Sequence, residues 1–253
     1  MTEKKEPKLR SVQKYKPPYP LNKFPEGFAL KLGKEIIYLL ATKGSSVLEG
    51  PEWEQIFAIC IDGRWKPSNI GLDDITLGNC AWSAKSVKSN NPETVNKIRL
   101  ISGRNSPAYS FGESKVIDTD ANILGEHVLS IWNERVSSLR AIYNHLRTVV
   151  LVKSNSLETI LVYEFETILF NPAKYDWKWN ERKNLEGIDL QSNHCFTWQP
   201  HGSQFTIIDT VPDDALIIKI KRPKKLDKEL ILKELGYNND WISAKIKNGR
   251  QIL

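Results

Sequence analysis

The sequence predicts one mixed α/β domain. Three segments carry apolar residues at helical spacing, the second half is dominated by short β-rich runs, and no internal repeat or low-complexity tract divides the chain. A chain of 253 residues with 40% apolar and 26% charged residues can bury a full core. Every apolar run falls short of the roughly 18 residues of a membrane helix. The opening "MTEKKEPKLR" carries charge with no apolar segment behind it, so a soluble, cytoplasmic protein without a membrane partner is expected. Cys60, Cys80 and Cys195 are odd in number and far apart, which argues against a disulfide framework and a structural zinc site.

Residues 1–27 are expected to form a basic, flexible arm ahead of a single domain over 28–253. Residues 1–23 hold seven Lys/Arg against Glu3 and Glu6, most of the chain's net +6. Such an arm serves as a solubilising tail or follows a polyanion such as DNA. Residues 28–44 read as a first helix that stops near Gly44. Residues 51–61 read as a second: Pro51 takes the first position, where a missing N–H costs nothing, and Trp53, Ile56, Phe57 and Cys60 form a core-facing stripe. A ribbon over 70–88, a strand over 97–102 and the loop "SGRNSPAYSFGES" follow. The longest helix is expected over 126–146, through Val128, Trp132, Val136, Leu139, Tyr143 and Leu146. Strands are expected at 148–153, 159–170, 205–211 and 215–221, and "KKLDKELILKELGYNNDWISAKI" reads as a basic helix and a turn.

The ribbon "GLDDITLGNCAWSAKSVK" (71–88) is the most informative stretch. Gly78-Asn79 between two strand-like runs signals a two-residue hairpin, because primed turns need positive φ. Pairing about that turn sets Leu77 against Cys80, Thr76 against Ala81, Ile75 against Trp82 and Asp74 against Ser83. Side-chain alternation then puts Ile75, Leu77, Cys80, Trp82 and Ala84 on an apolar face, and Asp74, Thr76, Ser83 and Lys85 on the other. Asp73 falls on the apolar side, so Asp74 is the better partner for Ser83 and Lys85.

An aspartate, then a strand ending in residue-x-Lys on the same face, resembles the active-site hairpin of the PD-(D/E)xK nucleases, the superfamily of most type II restriction endonucleases, in a Ser-x-Lys variant. The resemblance covers the hairpin and the helix before it. It implies a restriction-endonuclease-like mixed central sheet flanked by helices. It further implies Mg²⁺ held by Asp74 and the Ala84 carbonyl, with Lys85 positioning the attacking water and Ser83 standing where the family has a second carboxylate. Glu54, in "GPEWEQ", resembles the family's helical glutamate and is expected to replace that carboxylate, with Glu93, in "NNPETVNK", as a compensating metal ligand. Mg²⁺ takes hard oxygen ligands and stabilises charge on an attacked phosphate, which is why such groups suit phosphodiester hydrolysis.

A nuclease of this kind needs polar groups for phosphates and base edges. Arg104, Asn105 and Ser106 in one loop, and Gln199, His201, Ser203 and Gln204 in "WQPHGSQF", are candidates for DNA contact; each loop could equally be an ordinary polar one. "YDWKWNERK" adds Lys178 and Arg182. His127, His145, His194 and His201 show no pairing suited to zinc. The phosphate-cradling GxxxxGK[ST] and GxGxxG loops are absent, so no nucleotide cofactor is expected, and no GxSxG elbow occurs. The expected function is a Mg²⁺-dependent, site-specific double-stranded DNA endonuclease, a type II restriction enzyme acting as a homodimer and leaving 5′-phosphate ends. The alternatives are a non-catalytic DNA-binding protein of the same fold, or a repair or transposition nuclease.

Overall fold

The computed structural model describes residues 15–66, 71–112, 119–244 and 246–247, so the outer part of the basic arm, residues 1–14, lies outside the described residues. Two helices open the fold. Helix α1 (Phe28–Lys43) stops at Gly44, which takes a left-handed φ of 72°. Helix α2 (Gly50–Cys60) starts with a capping box between Glu49 and Glu52 and a proline in its first turn. Phe28, Leu32, Ile36, Trp53 and Phe57 face inward from the pair, as their spacing predicts.

The helices cover one face of a six-stranded sheet ordered β1 (Arg64–Trp65), β2 (Ile75–Leu77), β3 (Cys80–Lys88), β5 (His145–Lys153), β6 (Thr159–Glu166) and β11 (Leu216–Lys219). Strands β3 and β5 run parallel and the other neighbours antiparallel, which makes the sheet mixed. Strand β5 lies at the centre and is buried on both faces, which accounts for its near-continuous apolar run.

A second sheet, antiparallel throughout, is ordered β4 (Lys97–Arg104), β10 (Gln204–Thr210), β9 (His194–Gln199), β8 (Leu185–Asp189) and β7 (Tyr175–Trp179). The short helix α3 (Pro107–Phe111) and the long helix α4 (Ala121–Arg140) connect β4 to β5. Leu124, Val128, Trp132 and Val136 of α4 pack with Ala81 and Leu146 of the first sheet and with Trp177, Trp198 and Phe205 of the second. Ile98 and Leu100 of β4 pack on Val150, Val152 and Leu161, completing the contact between the sheets. Gly125 lets α4 approach β7: a Cβ there would lie 2.2 Å from the Trp177 ring.

The structure revises three expectations and adds to a fourth. The expected mixed sheet flanked by helices is present, and a second, antiparallel sheet accompanies it. The helix expected over 126–146 spans 121–140: Asp120 caps it by accepting from the Asn122 and Ile123 amides, and Leu146 belongs to β5, where pairing on both sides competes successfully with another helical turn. The aromatics of "YDWKW" form strand β7, with Trp177 in the core, and residues 194–199 form a strand that the sequence reading leaves unassigned. The described inner part of the arm packs on the domain where a free segment is expected. Tyr19 is buried there, its hydroxyl donates to Glu164 at 2.7 Å, and the Arg147 guanidinium donates to the Tyr19 carbonyl at 3.0 Å. Arg147 also pairs with Glu164 at 3.3 Å in a fully enclosed site, and Trp82 donates its indole N–H to the same carboxylate at 2.7 Å. The C-terminal segment forms helix α5 (Lys228–Glu234), none of whose residues is buried. Among the described residues, no helix is long and apolar enough to cross a membrane.

Candidate functional site

The hairpin forms in the expected register, with Ile75 opposite Trp82, Thr76 opposite Ala81 and Leu77 opposite Cys80. Gly78 supplies the positive φ, 57°, that the turn requires. Ile75, Cys80, Trp82 and Ala84 face the α1–α2 core. The opposite face is covered as well, with Ala81 in the core beneath α4, so Asp74 and Ser83 are buried groups and not members of an open polar surface.

At the open end of the hairpin the Asp74 carboxylate accepts the Ala84 amide hydrogen at 3.2 Å. In a strand the N–H and C=O of one residue project from the same edge, so the Ala84 carbonyl faces the Asp74 side too. Ser83 Oγ donates to the Gly71 carbonyl at 2.9 Å and lies 3.4 Å from Asp74 Oδ2, tying the turn before β2 onto β3. Asp73 is also buried but forms an ion pair with Lys66 at 2.6 Å, which separates its role from that of Asp74.

Burial pushes Asp74 up to about 6; the Lys85 ammonium opposes that shift and the negative charge of Glu54 adds to it. Burial lowers the pKa of Lys85, against the stabilising charges of Asp74 and Glu54 and with the help of Arg135. Glu54 arrives from α2, where its carboxylate accepts from the Trp65 indole N–H at 3.0 Å. The Ala84 backbone and Asp74 thus meet midway along β3, just past its pairing with β2, within reach of the charges of Lys85 and Glu54.

Glu93 is not part of this group. It is exposed and pairs with Lys219 of β11 at 3.0 Å, on the edge of the sheet away from β2, so its expected role as a compensating ligand is not supported by its position. Glu52, the other glutamate in the first turns of α2, pairs with Lys43 at 2.6 Å and caps its own helix.

Arg135 joins the site without having been signalled as a functional residue. It lies on the apolar side of α4, at i+3 from Trp132 and i−4 from Leu139, where a cation is out of pattern. Its guanidinium donates to the Ser102 carbonyl at 3.1 Å and to Asn105 Oδ1 at 3.2 Å. Gly103 makes room for it, since a Cβ there would lie 2.6 Å from the guanidinium. Burial lowers the Arg135 pKa and the charge of Asp74 raises it.

The candidate DNA-contacting residues divide into two groups. Asn105 is fully buried: its amide nitrogen donates to the Val128 carbonyl at 2.9 Å, and its own carbonyl accepts from Trp198 at 2.7 Å. It is a structural anchor for Arg135 and does not reach a ligand. Ser106 caps α3 by accepting from the Tyr109 amide, and Ser203 takes a φ of 51° in the turn after His201, where its carbonyl accepts from the Asn105 amide at 2.8 Å. Arg104, Gln204 and Gln199 stand in one row across β4, β10 and β9. Lys178, Arg182 and His201 are exposed, Lys178 on β7, Arg182 in the turn after it and His201 in the turn before β10. Among the described residues no group of three or more His, Cys, Asp and Glu side chains is arranged to hold a metal ion. No protein-family model matches the sequence, and neither the curated proteins nor the solved structures contain a match.

Proposed function

We propose that the chain is a Mg²⁺-dependent, site-specific endonuclease of double-stranded DNA with a restriction-endonuclease-like fold, acting as a type II restriction enzyme. The observation that carries this reading is the closure of Asp74 on the Ala84 amide, which brings a buried carboxylate, a strand-edge carbonyl and the Lys85 ammonium to one end of the hairpin. The donor set suits a hard cation. The negative charge of Glu54 adds to the cost of ionising Asp74, a penalty that a bound cation relieves, and every available donor is oxygen.

Asp74, Glu54 and the Ala84 carbonyl would hold Mg²⁺, whose charge, when bound, stabilises the attacked phosphodiester. Lys85, with its pKa lowered by burial, exchanges a proton with the attacking water more readily than a solvated lysine and orients that water. Ser83 supplies no carboxylate; it holds the 71–74 segment against β3 and so keeps Asp74 in place. Arg135 adds positive charge toward the phosphate. Hydrolysis would leave 5′-phosphate ends, and a homodimer would present one such site to each strand of a two-fold symmetric target.

Incubation with unmethylated phage DNA and Mg²⁺ should yield discrete fragments, abolished by EDTA and by Asp74→Asn. Ser83 in place of an acidic residue favours one other reading, a DNA-binding protein of the same fold without activity. Binding indifferent to Mg²⁺ and to Asp74→Asn, with strands left intact, would establish it.

A further inference from the structure

By strand alternation the outer face of the five-stranded sheet is largely polar, with the exposed Ile101 opposite Thr206. Phe205, Trp198, Leu185 and Trp177 point into the core. Their alternates lie on the outer side in register: Lys178 stands opposite Glu186, Glu186 opposite Thr197, and Thr197 opposite Thr206, the two threonines buried beneath their neighbours. Over this face lies a cleft of about 610 Å³ lined by Arg99, Thr197, Gln199, Glu186 and the turn between β7 and β8, with no apolar residue in its wall. Arg99 is exposed, and one of its nitrogens donates to Thr197 Oγ1 at 3.1 Å, which holds the guanidinium fork over the sheet.

The turn beside it is stiff. Asn180 Oδ1 accepts from the Arg182 and Asn184 amides, both at 3.0 Å, and the Asn180 side-chain amide donates to Glu186 at 2.7 Å. Strands β7 and β8 form the edge of the sheet, and a two-stranded ribbon fits a major groove about 12 Å wide. Arg99, Arg104, Lys178 and Arg182 stand against Asp176, Glu181 and Glu186 on this face, a small cationic excess that suits a polyanion.

We infer that this face binds duplex DNA and reads base edges through Arg99, Glu186 and Gln199. The inference rests on the nuclease reading for its choice of ligand. A surface built only for phosphates would exclude carboxylates, whereas this cleft places Glu186 among an arginine, an amide and hydroxyls. That mixture matches base edges: a guanidinium fork meets guanine O6 and N7, a carboxylate accepts from cytosine N4, and a glutamine side chain pairs with adenine. The face lies on the side of the sheet away from α4, and the row Arg104–Gln204–Gln199 is linked to the candidate active site through the next residue, Asn105, whose side chain turns inward and holds Arg135.

The test is selection of duplexes from a pool with a randomised centre, in Ca²⁺ in place of Mg²⁺, with wild type, Arg99→Ala, Arg99→Lys and Gln199→Ala, each first checked for an unchanged thermal midpoint. Wild type should enrich a defined motif. Arg99→Ala should lose preference at one base pair by roughly 10- to 100-fold, the discrimination of one bidentate contact, and Arg99→Lys should fail to restore it because lysine lacks the fork. Gln199→Ala should relax a different position. Variants that enrich the wild-type motif with equal preference would overturn the inference, as would a wild-type selection that yields no motif. Cleavage by wild type in a parallel Mg²⁺ reaction separates these outcomes from failure of the nuclease reading.

Discussion

The Asp74 carboxylate accepts the Ala84 amide hydrogen at 3.2 Å, so the residue just before the first hairpin strand is locked to the residue two beyond the last cross-strand pair, Ile75 with Trp82. That bond extends the hairpin by side chain where backbone pairing ends. It also keeps a carboxylate out of water at a point where the chain gains nothing in stability from its charge.

The consequence for stability has a definite sign. Burial raises Asp74 from 3.8 to about 6, so between these values the unfolded chain binds fewer protons than the folded one. The stability tied to this residue is complete below pH 3.8 and is lost as pH rises through about 6, by about 3 kcal/mol. Asp74→Asn should therefore unfold at higher urea than wild type at pH 7, and the difference should shrink toward pH 4. Mg²⁺ should narrow the gap at pH 7 by stabilising wild type alone. Equal midpoints at both pH values would contradict the burial of an ionised Asp74.

Asn105 is expected to matter through what it holds. Asn105→Ala removes the buried donor to the Val128 carbonyl and one acceptor of the Arg135 guanidinium. Urea denaturation should show a loss of about 2 kcal/mol or more. In cleavage, the folded variant should turn over more slowly than wild type, because Arg135 loses its bond to the Asn105 side chain; an unchanged rate would separate Arg135 from the site.

The buried pair of Arg147 and Glu164 gives a sharper stability prediction. Arg147→Ala strands a carboxylate that burial already disfavours, and should cost about 3–5 kcal/mol by chemical denaturation. Arg147→Met combined with Glu164→Gln should recover much of that loss, since no charge is left unpaired. Because Tyr19 bonds to both residues, limited proteolysis should cut the single variant more readily near Tyr19 than wild type.

Much of the hairpin was legible because its signals are local. Gly78 allows only a few turns, and a two-residue turn sets the register of every residue up to Asp74 and Ser83. The two opening helices were legible for the same reason, from a proline, a terminal glycine and a clean apolar stripe. Long-range pairing was not. Strands β7 and β9 have few residues each, and their Trp177 and Phe196 become core only when α4 closes over them at Gly125. Asn105 looks like any loop asparagine until Val128, Trp198 and Arg135 converge on it. Arg135 did leave a trace, a cation three residues after Trp132 on an apolar helix face, but its meaning depends on a strand some fifty residues earlier. Glu93 shows the reverse error: nearness in sequence to Lys85 did not bring it near in space.

The most direct measurement is cleavage of unmethylated phage DNA by wild type and Lys85→Ala in Mg²⁺, with fragment ends assayed for ligation and DNA binding measured in Ca²⁺. Wild type should give discrete fragments with ligatable 5′-phosphate ends, and Lys85→Ala should cut at a rate at least about 100-fold lower with binding retained. Intact DNA with wild type across a broad panel, or equal cutting by Lys85→Ala, would contradict the nuclease reading.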